Sequence, residues 1–131
     1  MKKLALAVTA LAFSVGVNAA CDIKSLKGNY IVKATYTGYK SDYPTTCGDI
    51  GLLIFDGKGG VIGVGYESCA GNTYELGKSI GSYNIDPYCS GEIAFESMRI
   101  KYILDRTMKN GVILGGNPSL KSSGIGTISK Q

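Results

Sequence analysis

The sequence predicts an all-β protein, most simply a small antiparallel up-and-down barrel of about eight strands. Three observations favour this fold. Short runs of β-branched and aromatic residues recur along the chain with turn residues between them, and no long helical pattern follows the first segment. The chain also has 19 glycines in 131 residues, many of them inside the predicted strands, where they permit the strong coiling of a small barrel. A β-sandwich is the alternative, but a closed barrel leaves no exposed strand edge.

The first segment is predicted to be a cleaved secretion signal covering residues 1–19. Lys2 and Lys3 precede an apolar run of 14 residues, too short to span a bilayer as a helix, and small residues follow at Ala19 and Ala20. Cleavage removes both lysines and lowers the formal net charge from +4 to about +2. We therefore expect a single domain over residues 20–131, periplasmic or secreted, with no transmembrane segment and no concentrated basic surface for nucleic acid. Lipid attachment at Cys21 is the alternative localisation.

The strands follow from period-two alternation and from the turns that end them. Asp56-Gly57-Lys58-Gly59-Gly60 is predicted as a hairpin turn with positive φ angles, and Asn110-Gly111 as a second one. Residues 38–46 are expected to form a polar loop. The predicted strands are residues 28–37, 47–56, 61–69, 78–86, 92–96, 98–104, 112–114 and 123–130.

Four cysteines in an exported domain predict two disulfides, for which three pairings are possible. A hairpin centred on Lys58 places Cys47 opposite Cys69. Cys21 and Cys89 then lie at the other end of the strands, so we predict Cys47–Cys69 and Cys21–Cys89. The same register aligns six large apolar residues on one face, which we expect to be the interior: Ile50, Leu52, Ile54, Ile62, Val64 and Tyr66.

This register also places Asp49 opposite Glu67, and like charges in that position are unfavourable. They could form a cation site or a general acid–base pair in which one pKa is raised. The alternative, which the expected apolar interior favours, is that both are solvated carboxylates on the outer face.

Tyrosine, with nine copies, suggests a binding surface at the barrel ends. Five tyrosines lie in or beside predicted loops and are the candidate ligand-binding residues: Tyr36, Tyr39, Tyr43, Tyr74 and Tyr88. The alternative is that tyrosine simply suits β-structure.

A family resemblance rests on four short motifs between Gly28 and Phe95: Gly28-x-Tyr30, Phe55-Asp56-Gly57-Lys58-Gly59-x-Val61, Gly81-x-Tyr83-x-Ile85 and Pro87-x-Cys89-x-Gly91. In these the chain resembles small exported bacterial β-barrel proteins with a calycin-like or allene-oxide-cyclase-like layout. The lipocalin Gly-x-Trp opening stands here as Gly28-x-Tyr30. The resemblance implies the barrel fold and no catalytic residues.

The composition narrows the function mainly by exclusion. The chain has no histidine, which excludes Ser-His-Asp and Cys-His catalysis, His-ligated zinc and imidazole proton transfer. We expect no metal and no cofactor. The preferred hypothesis is a binding module for a small ligand or a protein partner, through the barrel interior or the tyrosines. The alternatives are a cyclase-like or isomerase-like barrel enzyme using carboxylates and tyrosines, and a secreted inhibitor or interaction scaffold.

Overall fold

The computed structural model describes residues 21–39, 44–118 and 122–131. Within them the chain forms a closed barrel in which every strand pairs antiparallel with the next and β8 closes on β1. The strands are β1 (Lys27–Tyr39), β2 (Pro44–Asp56), β3 (Gly60–Cys69), β4 (Asn72–Ile85), β5 (Ser90–Ala94), β6 (Arg99–Leu104), β7 (Asn110–Asn117) and β8 (Ser122–Lys130). The predicted up-and-down barrel is confirmed. The described part of the chain contains no helix that is long and apolar enough to cross a membrane.

The β2–β3 register is the predicted one, with Cys47 opposite Cys69 and Ile50 opposite Tyr66. The expected orientation of the faces is wrong. Ile50 is 57% exposed and Val64 is 41% exposed, whereas Leu53 and Phe55, of the other parity, are buried inside. Both faces of this hairpin carry large apolar residues. The alternation shows which residues share a face, but it does not show which face points into the barrel. The Ile50 face is therefore an exposed apolar surface.

The packed core fills one half of the barrel, at the end where β1 begins. Tyr30, Phe55 and Tyr83 pack edge to face, with ring centroids 5.2 and 4.9 Å apart. Residues 21–26 lie across this end, and Leu26 is completely buried. The Tyr83 hydroxyl donates to the backbone oxygen of Leu26 at 2.8 Å and lies 3.0 Å from that of Ile23, so this half is closed.

Three hairpin turns at the closed end share one construction. Each begins with an aspartate that directly follows a large apolar residue and whose Oδ1 accepts the backbone N–H four residues later. The fourth residue of each turn has a positive φ. The aspartates are Asp56, Asp86 and Asp105, and the positive-φ residues are Gly59, Cys89 and Met108. The predicted turn at Asp56 is thus confirmed, and its pattern recurs twice.

Both predicted disulfides are confirmed, and they lie at opposite ends of the barrel. Cys21–Cys89 fixes the N-terminal segment to the closed end, with Cα atoms 5.1 Å apart. Cys47–Cys69 joins β2 to β3 in the other half, with Cα atoms 4.4 Å apart. The Cys21 sulfur that lipid attachment would need is engaged in the first bridge.

Glycines let neighbouring strands approach closely. A Cβ atom on Gly126 would lie 2.1 Å from the Lys33 carbonyl oxygen, and one on Gly65 would lie 2.4 Å from that of Ile50. Only glycine permits these two close approaches. The predicted role of in-strand glycines in coiling the barrel agrees with this packing.

Candidate functional site

The half of the barrel opposite the aromatic core is hollow. It contains a cavity of about 440 Å³ whose wall is mainly apolar and whose rim carries serines and an asparagine. The apolar side chains include Val32, Ala34, Leu53, Phe95, Ile100 and Ile113, and the rim includes Ser97, Asn117, Ser122 and Ser123.

Glycine explains why this half is hollow while the other half is packed. Several wall positions are occupied by glycine, which contributes no side chain: Gly51, Gly63, Gly65, Gly115 and Gly124. Nearer the closed end, inward positions on the same strands carry larger buried side chains: Phe55 on β2, Val61 on β3 and Ile128 on β8. The cavity therefore follows from residue size along strands that continue through both halves.

Asp49 and Glu67 both line the cavity, as neighbours on β2 and β3. The interpretation of the pair as outer-face carboxylates is therefore wrong. They share the inward parity of Leu53, and the apolar set that was expected inside is on the outer face instead. Directly opposed residues have Cβ atoms about 5 Å apart, so two carboxylates share a small region of an apolar wall.

Asp49 has the more unusual environment of the two. Its Oδ1 is buried and has no hydrogen-bond partner. Burial, and secondly the nearby Glu67 carboxylate, raise the pKa of Asp49 from 3.8 to about 6. Asp49 can therefore exchange a proton near neutral pH, a role that histidine often fills in other proteins and that no histidine can fill in this chain.

Tyr36 lies in β1, as its predicted strand places it, and its side chain reaches across β2 to Glu67. Its hydroxyl donates a hydrogen bond to Glu67 Oε2. Burial first, and then the hydrogen bond to Glu67, raise the pKa of Tyr36. Tyr36 therefore remains a neutral donor, and it satisfies one oxygen of Glu67 while Asp49 Oδ1 stays without a donor.

Cys47 and Cys69 border this polar group. The Cys69 sulfur lies 3.1 Å from Glu67 Oε1 and 3.8 Å from the Tyr36 hydroxyl oxygen. Cys47, Glu67 and Cys69 together have the spacing of metal ligands. Because both sulfurs form the disulfide, neither is a thiolate, and the three residues do not form a metal site in this state.

The three candidate tyrosines whose side chains the structure describes do not form one cluster. Tyr36 lines the cavity, Tyr74 is on β4 opposite Glu67, and Tyr88 is 81% exposed in a turn at the closed end. Tyr39 belongs to β1, and Tyr43 lies outside the described residues. The predicted loop over residues 38–46 is wrong at both edges, because Gly38 pairs with Thr45 and Tyr39 with Pro44, extending the β1–β2 ladder.

Sequence reasoning missed the cavity and its bare glycine wall. A signal was present: Gly51, Gly63 and Gly65 have the parity of Asp49 and Glu67 in the predicted register. Small residues beside inward carboxylates indicate empty space once the inward face is known.

No known protein family matches the chain, and comparison with curated proteins returns no significant match. The barrel layout implied by the resemblance is confirmed by the strand order, while kinship with exported bacterial barrels stays a prediction. The function must therefore be inferred from the cavity itself.

Proposed function

We propose that this protein is an exported binding module that holds a small, largely apolar molecule in the hollow half of the barrel. The observation that carries this proposal is the cavity of about 440 Å³, which lies in the ordinary size range of small-molecule sites. The predicted signal segment and the two disulfides support an oxidising, extracytoplasmic setting.

The two halves of the barrel have complementary properties for this role. The closed half is rigidly packed around Tyr30, Phe55 and Tyr83 and is covered by residues 21–26. The hollow half offers apolar walls and a few polar groups on one side, the composition that gives a ligand both burial and orientation. A ligand would thus be held on a preformed scaffold, with little ordering cost.

The test is to fill the cavity without disturbing the barrel. A Cβ atom on Gly115 would meet only Ile100, at 3.7 Å, and the Arg99 carbonyl oxygen, at 3.9 Å, so Gly115→Leu places its side chain in the cavity with little backbone conflict. Gly48→Leu is the matched control, because Gly48 has the outward parity of β2 and its Cβ would have 4.0 Å of clearance from the Ala34 carbonyl oxygen.

The probe is N-phenyl-1-naphthylamine, a neutral dye whose fluorescence rises in apolar surroundings. We expect saturable one-to-one binding by the parent protein and by Gly48→Leu, and at least tenfold weaker binding by Gly115→Leu. Equal binding by all three proteins would overturn the proposal, since the dye would then be on the exposed outer apolar surface.

A barrel enzyme is the second candidate, favoured by the position of Asp49 beside Glu67 and Tyr36 in the cavity. A carboxylate with a pKa of about 6 suits proton transfer from carbon acids near neutral pH. The discriminating assay is deuterium exchange at the α-carbon of 2-indanone in D₂O, followed by NMR. If the parent protein accelerates the exchange and Asp49→Asn does not, the enzyme hypothesis is supported. If the parent protein gives only the exchange rate of the buffer, the enzyme hypothesis is wrong.

A further inference from the structure

We propose that the ligand of the cavity carries an ammonium group on an apolar body, and that Asp49 is the counterion that receives it. This inference rests on the proposed binding function and adds the chemical class of the ligand. It depends on the charge of the cavity, on the unpartnered carboxylate, and on the division of roles between Asp49 and Glu67.

The charge of the cavity is one-sided. Two carboxylates, Asp49 and Glu67, line it, and no lysine or arginine is among the described residues that do so. Lys33 on the neighbouring strand has the outward parity and borders an outer groove next to both carboxylates, but it does not line the cavity. Glu92 pairs with Lys101 and Arg99 elsewhere on the barrel. A carboxylate in an apolar wall is stabilised by a cation that enters beside it.

The two carboxylates are not equivalent. Glu67 Oε2 accepts a hydrogen bond from the Tyr36 hydroxyl, and Glu67 Oε1 lies beside the disulfide sulfur of Cys69, which has no hydrogen to donate. Asp49 Oδ1 is buried without any donor among the described residues. Asp49 Oδ1 is therefore the buried oxygen that lacks a hydrogen-bond donor, and the carboxylate of Glu67 lies next to Asp49 as a second negative group.

The apolar side chains of the cavity wall determine which uncharged group the ligand carries beside its ammonium. Val32, Leu53, Phe95, Ile100 and Ile113 face the space beside Asp49, and apolar area supplies most of the affinity in such a pocket. The geometry fits a compact aromatic or branched aliphatic group joined to an ammonium by a short linker.

Protonation distinguishes an ammonium ligand from a neutral one. The titratable groups that face Asp49 from inside the cavity are Glu67 on β3 and Tyr36 on β1, with Tyr74 on β4 beside Glu67. Lys33 on β1 and Tyr66 on β3 line an outer groove that Asp49 and Glu67 also border. An ammonium stabilises ionised Asp49, so its affinity falls as acid protonates this carboxyl. A ligand that accepts a hydrogen bond from the protonated carboxyl shows the opposite trend.

The experiment uses three probes of nearly one shape: 2-phenylethylammonium, 2-phenylethanol and 3-phenylpropanoate. Each is titrated calorimetrically into the oxidised protein at pH 7.5 and pH 4.5. We expect the ammonium to bind at least tenfold more tightly than the alcohol at pH 7.5, the carboxylate to bind most weakly, and the ammonium preference to shrink at pH 4.5.

Two variants assign the effect. Asp49→Asn keeps the shape and removes the charge, and we expect it to reduce the ammonium preference over the alcohol to threefold or less. Glu75→Gln removes a charge from an exposed position opposite Tyr66, outside the cavity, and we expect it to keep the preference.

The outcomes separate this inference from the proposed function. If Gly115→Leu blocks the neutral dye but the alcohol binds as tightly as the ammonium, the ligand class is wrong and the binding function stands. If Asp49→Asn keeps the preference for the ammonium over the alcohol, the proposed ligand class is also wrong, while the proposed binding function stands. If neither the dye nor any phenyl probe binds in a manner sensitive to Gly115→Leu, both proposals fail.

Discussion

Replacing Asp49 by asparagine is expected to stabilise the free protein at alkaline pH, although it removes the group to which we assign ligand binding. Burial raises the pKa of Asp49 from 3.8 to about 6, so the folded state holds a proton that the unfolded chain releases. Stability therefore falls as pH rises through this window, and the folded protein bears an unfavourable charge above pH 6.

The magnitude follows from that pKa. A rise from 3.8 to about 6 sets an upper bound of about 3 kcal/mol on the cost of ionised Asp49. Because the side chain is only partly buried, solvent screens much of this, and we expect a gain of about 1 kcal/mol for Asp49→Asn at pH 8. The cost begins where the unfolded chain releases its proton, near pH 3.8, so the gain should be smaller at pH 4.5 than at pH 8 and should vanish only below pH 3.8.

The assay is urea unfolding at pH 4.5, 6 and 8, with Glu75→Gln as the control for removing one negative charge. An Asp49→Asn variant that is no more stable than the parent at pH 8, or whose gain is the same at pH 4.5, would refute this explanation. A binding residue that costs stability when the site is empty is a common feature of functional sites.

The remaining predictions concern the closed end and the bridges. Tyr83→Phe removes the hydroxyl that contacts two backbone oxygens of the N-terminal segment, and urea unfolding should show that the free energy of unfolding falls by about 1–3 kcal/mol. The control, Tyr88→Phe at an exposed turn, should leave the free energy of unfolding unchanged. Replacing Cys21 and Cys89 together by alanine should cost about 4 kcal/mol, against about 3 kcal/mol for Cys47 and Cys69, because the first bridge closes a loop of 68 rather than 22 residues in sequence separation. Equal losses for the two double variants would contradict the dependence on loop length. Asp105→Ala should lower the thermal midpoint because the N–H of Lys109 and the hydroxyl of Thr107 lose Asp105 Oδ1 as their acceptor. Lys78→Ala, at an exposed position of β4, is the control, and an equal fall in both variants would contradict this role of Asp105.

The turns and the pairing of β2 with β3 were predictable from the sequence because both are local. Asp56-Gly57-Lys58-Gly59-Gly60 determines a turn, the turn determines the register, and the register brings Cys47 to Cys69. Cys21–Cys89 then followed from the up-and-down order of the strands. The extension of β1 and β2 through Gly38 and Thr45 was not predictable, since polar residues there are compatible with loop or ladder.

The sequence correctly predicted that Asp49 and Glu67 face each other, but the expected apolar interior placed them on the wrong side of the barrel wall. Asp49 and Glu67 are opposed as expected, but which face is interior depends on what the other strands contribute. Phe55, Tyr30 and Tyr83 fill the interior from the closed end, leaving Ile50 and Val64 outside. That choice is made by packing across the whole barrel, which no single hairpin contains.

The measurement that bears most directly on the central claim is an NMR titration of the Asp49 side-chain carboxyl carbon, in the free protein and with saturating 2-phenylethylammonium. The cavity geometry predicts a midpoint near pH 6 in the free protein and a clear decrease on adding the probe, because the ammonium stabilises the ionised carboxylate. A free-protein midpoint near the ordinary value of 3.8, or a midpoint that the probe leaves unchanged, would contradict the assignment of Asp49 as the counterion in a hollow barrel.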